Sequence, residues 1–433
     1  MSSPLASEGT NGSAFGHAVS PLRLYRDVRR ASVRLAEPLS AEDSCVQSMP
    51  DASPTKWHLA HTTWFFETLV LELAERSFVP FDSSYRVLFN SYYNTVGAQH
   101  ARPHRGLLTR PPLEDVMRYR AEVDERVAAL LVDPDGLDAE LLARIEVGLH
   151  HEQQHQELIL TDLKHMLSFN PTLPAYRSGK PPRSVSAPAL EWHGFDGGIN
   201  EVGHDGKGFG FDNERPRHRV HLETFELASR LVTNGEYLNF MRDGGYERPE
   251  LWLSDGWNVV GRQGWRAPLY WQYEGEEWSS FTLGGLRPLR EHEPVCHVSL
   301  YEADAFARWS VCRLPTEAEW EVAASHCAVD GNFVEDEVLH PQAIGESRGL
   351  DQVFGDAWEW TSSAYSPYPR YRALGGALGE YNGKFMSDQN VLRGGSCATP
   401  RSHVRATYRN FFPAATRWQF SGIRLARDAE VSM

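Results

Sequence analysis

Cysteine is scarce in this chain. There are five in 433 residues, Cys45, Cys296, Cys312, Cys327 and Cys397, scattered and without a CxxC pair. That excludes a disulfide framework and a four-thiolate zinc site, and it suits a reducing compartment. Long apolar runs are missing too: no eighteen apolar residues follow one another, so no spanning helix is expected. The formal net charge is −15 and no Lys/Arg block or basic helix occurs, which removes the electrostatic basis for binding nucleic acid. Residues 1–20 are rich in Ser, Gly and Ala but lack the apolar core of a signal peptide, so a disordered tail is expected there. These absences lead to the expectation of a cytoplasmic protein with neither nucleic-acid nor membrane partners.

The chain has hydrophobic content of 41%, enough for folded domains, and its length exceeds one ordinary core. Residues 21–170 read as a helical unit. Helices are expected over Leu22–Leu35, from Ser53-Pro54 to Ala74, over Leu113–Leu131 and over Leu137–Leu167, the last with Leu141, Leu142, Ile145, Leu149, Leu158, Leu163 and Met166 at roughly helical spacing. Four such helices predict a bundle whose core can hold metal ligands. The connection over residues 75–111 is long and rich in aromatics, which points to a functional loop. Residues 171–190 are Pro/Ser-rich and read as a linker. Residues 191–428 change texture to Gly, Trp and short β-type runs such as Arg219–Leu222, Phe225–Ala228 and Tyr270-Trp271. Short helices near Asn234–Phe240 and Glu302–Ser310 interrupt them, so this half predicts an α+β domain with much irregular loop.

Three histidines carry the chemistry. His151 and His155 stand four apart on the last bundle helix, which brings both imidazoles to one face. His61, on the second helix, is the candidate third ligand. His151-Glu152-Gln153-Gln154-His155 satisfies the H-E-x-x-H pattern of zinc peptidases, where the Glu is the general base. That reading needs a third ligand downstream, yet Leu158 and Thr161 occupy the places of the extended motif and residues 170–190 offer no carboxylate before Glu191. His58 and His150 point to other sides of their helices, as packing residues or as supports for the ligands. Three imidazoles without a carboxylate leave a divalent ion its full charge and open positions. Zinc tolerates such a set, while ferrous iron uses it for oxygen and thiolate chemistry. Gln154 lies about 60° from His151 around the helix and can reach a bound substrate.

These residues, with five later motifs, resemble a known family. The first half resembles DinB-like metal-binding bundles. The second resembles the formylglycine-generating-enzyme/sulfatase-modifying domain, whose fold is related to C-type lectins, through Pro294–Ser299, Arg313–Glu321, Asp356–Thr361, Arg393-Gly394-Gly395-Ser396 and Gly422–Arg427. Together, over about residues 21–428, they resemble ergothioneine-biosynthesis sulfoxide synthases of the EgtB type. The resemblance implies an Fe(II) enzyme that uses O2 to join a thiol, from cysteine or γ-glutamylcysteine, to C2 of the hercynine imidazole. It implies His61, His151 and His155 as iron ligands, Gln154 at the hercynine imidazole, and the Arg409–Phe412 segment closing the hercynine pocket. A trimethylammonium group is held by aromatic faces, so Phe411 and Phe412 are expected to bind it. Trp418 and Phe420 read either as part of that cluster or as core, and Asn410 is a candidate for the hercynine carboxylate. The tyrosine pair Tyr92-Tyr93 matches the proton donor of the branch this chain most resembles, the cysteine-using one. Either tyrosine is a candidate, because phenol keeps its proton at neutral pH yet can yield it to a basic oxygen species. Arg102, with Arg105 close by, is the candidate for the thiol substrate's carboxylate. In true formylglycine generators two cysteines follow the Gly-Gly-Ser motif and bind copper; here Cys397 has no second, so a scaffold is expected.

Three further readings remain open beside this one. The first is an ovothiol-type synthase, which usually carries a methyltransferase domain, although no Gly-rich nucleotide loop follows residue 428. The others are a selenoneine-type C–Se synthase and, from a different class, a non-catalytic lectin-like binding protein. Oligomeric state is not legible in the sequence.

Overall fold

The computed structural model describes residues 20–178 and 185–429. The expected tail and the middle of the expected linker lie outside the described residues. Pro21–Ala36 (α1), Thr55–Phe66 (α2), Leu113–Leu130 (α3) and Ala139–Leu167 (α4) form the bundle, with α2 packed on α3 and α4, and α1 on α4. Helix α2 continues as a π-helical turn over Glu67–Leu71 and a last turn at Glu72–Ala74. Every residue of α2 is buried, so its sequence shows little amphipathicity and its partners surround it. Helix α4 starts where Asp138 accepts the Leu141 amide at 2.7 Å, two residues later than its periodicity suggested.

Gly148 lets α2 and α4 touch. A Cβ there would stand 2.7 Å from a Phe66 ring carbon and 2.9 Å from one of Phe65. Alanine at 148 would therefore push the two ligand-bearing helices apart.

The second half is built of small sheets. Trp358–Ala364 and Asn390–Arg393 pair antiparallel, Asn410–Phe412 adds antiparallel to the outer edge, and Ser421–Gly422 adds parallel to the other. That sheet delivers Asn410, Phe411 and Phe412 to the interface with the bundle. Three helix starts carry reciprocal side-chain caps: Thr233 with Glu236, Ser299 with Glu302 and Thr316 with Glu319. The helices Ser254–Gln263 and Glu317–Ala324 lie outside the sequence expectation.

The charged residues of the later motifs bind one another. Arg424 forks onto Glu359 at 2.7 and 2.9 Å, and Trp320 donates to the same carboxylate at 2.7 Å. Arg393 reaches Glu321 at 2.9 Å and Glu317 at 3.1 Å, and Arg409 forks onto Glu317. Cys296 and Cys397 are buried free thiols, the first pushed up to about 12 by burial. These motifs hold the fold together, and none of their carboxylates is left open for chemistry.

Candidate metal centre and interdomain cleft

His61 from α2 and His151 and His155 from α4 bring one ring nitrogen each to within 4.8 Å of one another. Among the described residues no other group of His, Cys, Asp or Glu converges in this way. The Nε2 atoms of His61 and His151 are 3.2 Å apart. Two of the rings are fixed through their other nitrogen: His61 Nδ1 faces the Phe89 carbonyl at 2.6 Å, and His155 Nδ1 faces His58 Nδ1 at 2.7 Å, while His151 Nδ1 is buried without a hydrogen-bond partner among the described residues. His58 Nε2 lies 3.1 Å from Asp162, completing a carboxylate–His–His chain of the kind that orients metal-bound imidazoles. His150, by contrast, turns to the second half, stacking on Phe209 at 3.8 Å and meeting His403 at 2.9 Å.

Burial lowers the basicity of all three rings. His61 and His155 sit well below the usual range, through burial first and then through neighbouring histidines. His151 is pushed down to about 3 by burial against the pull of Glu152. Neutral imidazole is the form a metal binds, so the donor set fits a divalent cation.

Glu152 faces away from this cluster. Its carboxylate takes Arg29 at 2.7 Å, Ser32 at 2.6 Å and Arg120 on the far side of α4. Burial alone would raise its pKa, but Arg120 and Arg29 hold it at about 2. It is neither basic enough nor placed to serve as a peptidase general base.

A cleft of about 780 Å³ runs between the two halves and reaches His151 and His155. Gln154 stands at its floor, donating from Nε2 to Tyr408 Oη at 2.8 Å and accepting from Tyr381 Oη at Oε1. Tyr381 also meets His151 edge-on at 5.6 Å and stacks on Phe211 at 5.4 Å. Asn410, Phe411, Phe412 and Trp418 line the opposite wall. Phe411 lies flat on Tyr365 at 4.0 Å, and Phe412 meets Trp418 edge-on at 6.1 Å. Phe420 is buried outside the cleft, packed on His297 at 4.8 Å.

The tyrosine pair is split. Tyr92 lines the cleft, whereas Tyr93 is stacked behind it at 4.8 Å, fully buried beside Trp64 and Phe65. Burial raises the pKa of both, so both hold their protons. The arginines also differ. Arg102 is exposed and donates to the Asp51 carbonyl. Arg105 is buried, lies 3.4 Å over the Trp57 ring and bonds Ser53 Oγ at 2.9 Å. Among the described residues it has no ion-pair partner and its Nε is unsatisfied, and burial, helped by Arg102, lowers its pKa to about 9. An arginine like this costs stability until a carboxylate arrives.

Tyr381, Tyr408 and the buried state of Arg105 were missed by sequence reasoning. Tyr381 belongs to a Gly-rich loop 227 residues from Gln154, and nothing in its neighbourhood marks it.

Comparison with known proteins matches residues 24–159 to the DinB superfamily. It matches residues 193–347 and 337–429 to the sulfatase-modifying factor enzyme 1-like domain. A protein named hercynine oxygenase from Mycolicibacterium smegmatis is 32% identical over 367 residues, covering 76% of this chain and 82% of that one. One of the same name from Mycobacterium tuberculosis is 30% identical over 438 residues, covering 94% and 99%. A formylglycine-generating enzyme from Streptomyces coelicolor is 28% identical and covers 52% of this chain and 85% of its own.

Proposed function

The chain belongs to the hercynine oxygenase family, and we propose that His61, His151 and His155 hold the ferrous ion of a sulfoxide synthase that joins cysteine to hercynine. It is an enzyme of ergothioneine biosynthesis. The observation that carries the metal reading is the convergence of three neutral imidazole nitrogens beside a cleft, with Glu152 bound elsewhere. When bound, ferrous iron supplies dioxygen activation and a Lewis-acid site that favours the thiolate form of a substrate thiol. The free thiols and the absence, among the described residues, of a helix fit to cross a membrane suit the cytosol as the place of work.

The protein's own residues then divide the labour. Gln154, fixed by two tyrosines, has an amide N–H left for an imidazole nitrogen, and Tyr381 closes over the same ring. Phe411, Phe412 and Trp418 offer faces to the trimethylammonium, which no hydrogen bond can hold. Asn410 offers its side-chain amide N–H groups to the hercynine carboxylate, its Oδ1 already accepting the Phe411 amide at 2.9 Å. Arg105 takes the carboxylate of the thiol substrate, and Arg102 stands at the mouth.

Arg105→Met is expected to raise the KM for cysteine about 10- to 100-fold, the loss of a charge-assisted bond, and to leave the KM for hercynine unchanged. Equal effects on both substrates would remove Arg105 from this role. Tyr92 is assigned as the proton donor, with Tyr93 as its packing support. Tyr92→Phe should slow sulfoxide formation about a hundredfold, whereas Tyr93→Phe should leave the rate within a few-fold. Unchanged sulfoxide formation in the double variant would discard the pair.

The overall test is anaerobic loading with Fe(II), addition of hercynine and cysteine in air, and mass spectrometry of the product. A hercynine–cysteine sulfoxide is expected; γ-glutamylcysteine as the only competent thiol would move the chain to the other branch.

A further inference from the structure

Tyr381 and Asn382 also line a second cavity, of about 300 Å³. Its apolar floor is built by Val147, Phe211, Leu378 and Tyr381, the exposed Leu374 stands at its edge, and Arg215, Arg370 and Arg372 also line it. None of the three arginines has an ion-pair partner among the described residues. Arg215 bonds His204 Nδ1 at 3.3 Å. The acidic residue in the lining, Asp212, has both oxygens engaged, by Asn382 at 2.7 Å and Tyr371 at 2.8 Å. Glu146 feels Arg405 and Arg215 but pairs with neither. The pocket therefore keeps an excess of positive charge over an aromatic and aliphatic floor.

We propose that this pocket binds a small organic anion, a carboxylate carried on an apolar body, and that the bound anion alters hercynine affinity through Tyr381. Arginine forks match a carboxylate, and a mostly apolar floor of this volume suits a small ligand body. A bare inorganic anion would leave that floor uncovered. The coupling is structural: Tyr381 and Asn382 line both cavities, and Phe211 stacks on Tyr381. The same segment is clamped to the tyrosine loop, where Glu380 accepts the Asn94 and Thr95 amides at 3.0 and 2.9 Å and Lys384 reaches the Tyr92 carbonyl.

The binding half is independent of the hercynine reading; the coupling half rests on it. Fluorine NMR with 4-fluorobenzoate tests both on the full-length protein. Saturable line broadening is expected, weakly opposed by inorganic phosphate. It should disappear in the Arg370→Ala/Arg372→Ala double variant and in Leu374→Trp, which fills the pocket from an exposed position while leaving the arginines in place. Hercynine should shift the probe's affinity at least about twofold without abolishing binding, because coupling is reciprocal. No saturable broadening, broadening retained in both variants, or complete displacement by hercynine would overturn the site. Phosphate competing as well as benzoate overturns the organic-body assignment, and an affinity indifferent to hercynine overturns the coupling.

Discussion

Glu152→Gln is expected to lower stability by about 3–5 kcal/mol while leaving metal binding intact. The carboxylate is fully buried and bonds both Arg29 and Arg120, with Arg29 also reaching Asp124 at 2.6 Å. Glutamine keeps the shape and removes the charge, so two buried guanidinium groups lose their shared partner. Urea or thermal denaturation reads the loss, and metal content of the folded fraction reads the ligands. A peptidase would behave in the opposite way, losing its chemistry and keeping its stability. The pH dependence points the same way. The Glu152 carboxyl lies at about 2 against an ordinary 4.5, so its stabilising share is complete above pH 4.5 and is lost as pH falls toward 2. Stability of the variant should be flatter across that window.

The convergence of the three histidines was legible because it is written in local geometry. Four residues on a helix place His151 and His155 together, and the helix periodicity around them was clear. His61 needed one assumption, that α2 faces α4, and Gly148 supplies the physical reason. Tyr381 and Tyr408 were not legible, since they reach Gln154 only after strands of two to seven residues fold into sheets. Segments that short carry almost no periodicity. Arg102 and Arg105 stand three residues apart on the 3-10 turn Arg102–Leu107 with identical chemistry, and burial separates them. The capping boxes at Thr233, Ser299 and Thr316 each mark a helix start, and the Glu317–Ala324 helix, absent from the sequence expectation, begins inside the Arg313–Glu321 motif.

His61→Ala should abolish ferrous binding and sulfoxide formation while the protein stays folded. The side chain is fully buried, but its contacts are stacking ones, on Trp57 at 4.6 Å and Trp64 at 5.6 Å, and its one backbone bond is to Phe89. The void left is that of a single imidazole, for which a destabilisation of about 2–4 kcal/mol is expected. Two remaining histidines on α4 cannot hold the ion against competing ligands. His58→Ala provides the graded companion: it removes the Asp162-linked support behind His155 without removing a ligand, so metal affinity should fall about 10- to 100-fold. Excess Fe(II) should then restore turnover in the His58 variant and not in the His61 variant. Isothermal titration with Fe(II) under anaerobic conditions, beside product mass spectrometry, separates the two. Full activity in His61→Ala would mean that the metal is held elsewhere, and the arrangement of α2 against α4 would lose its functional meaning.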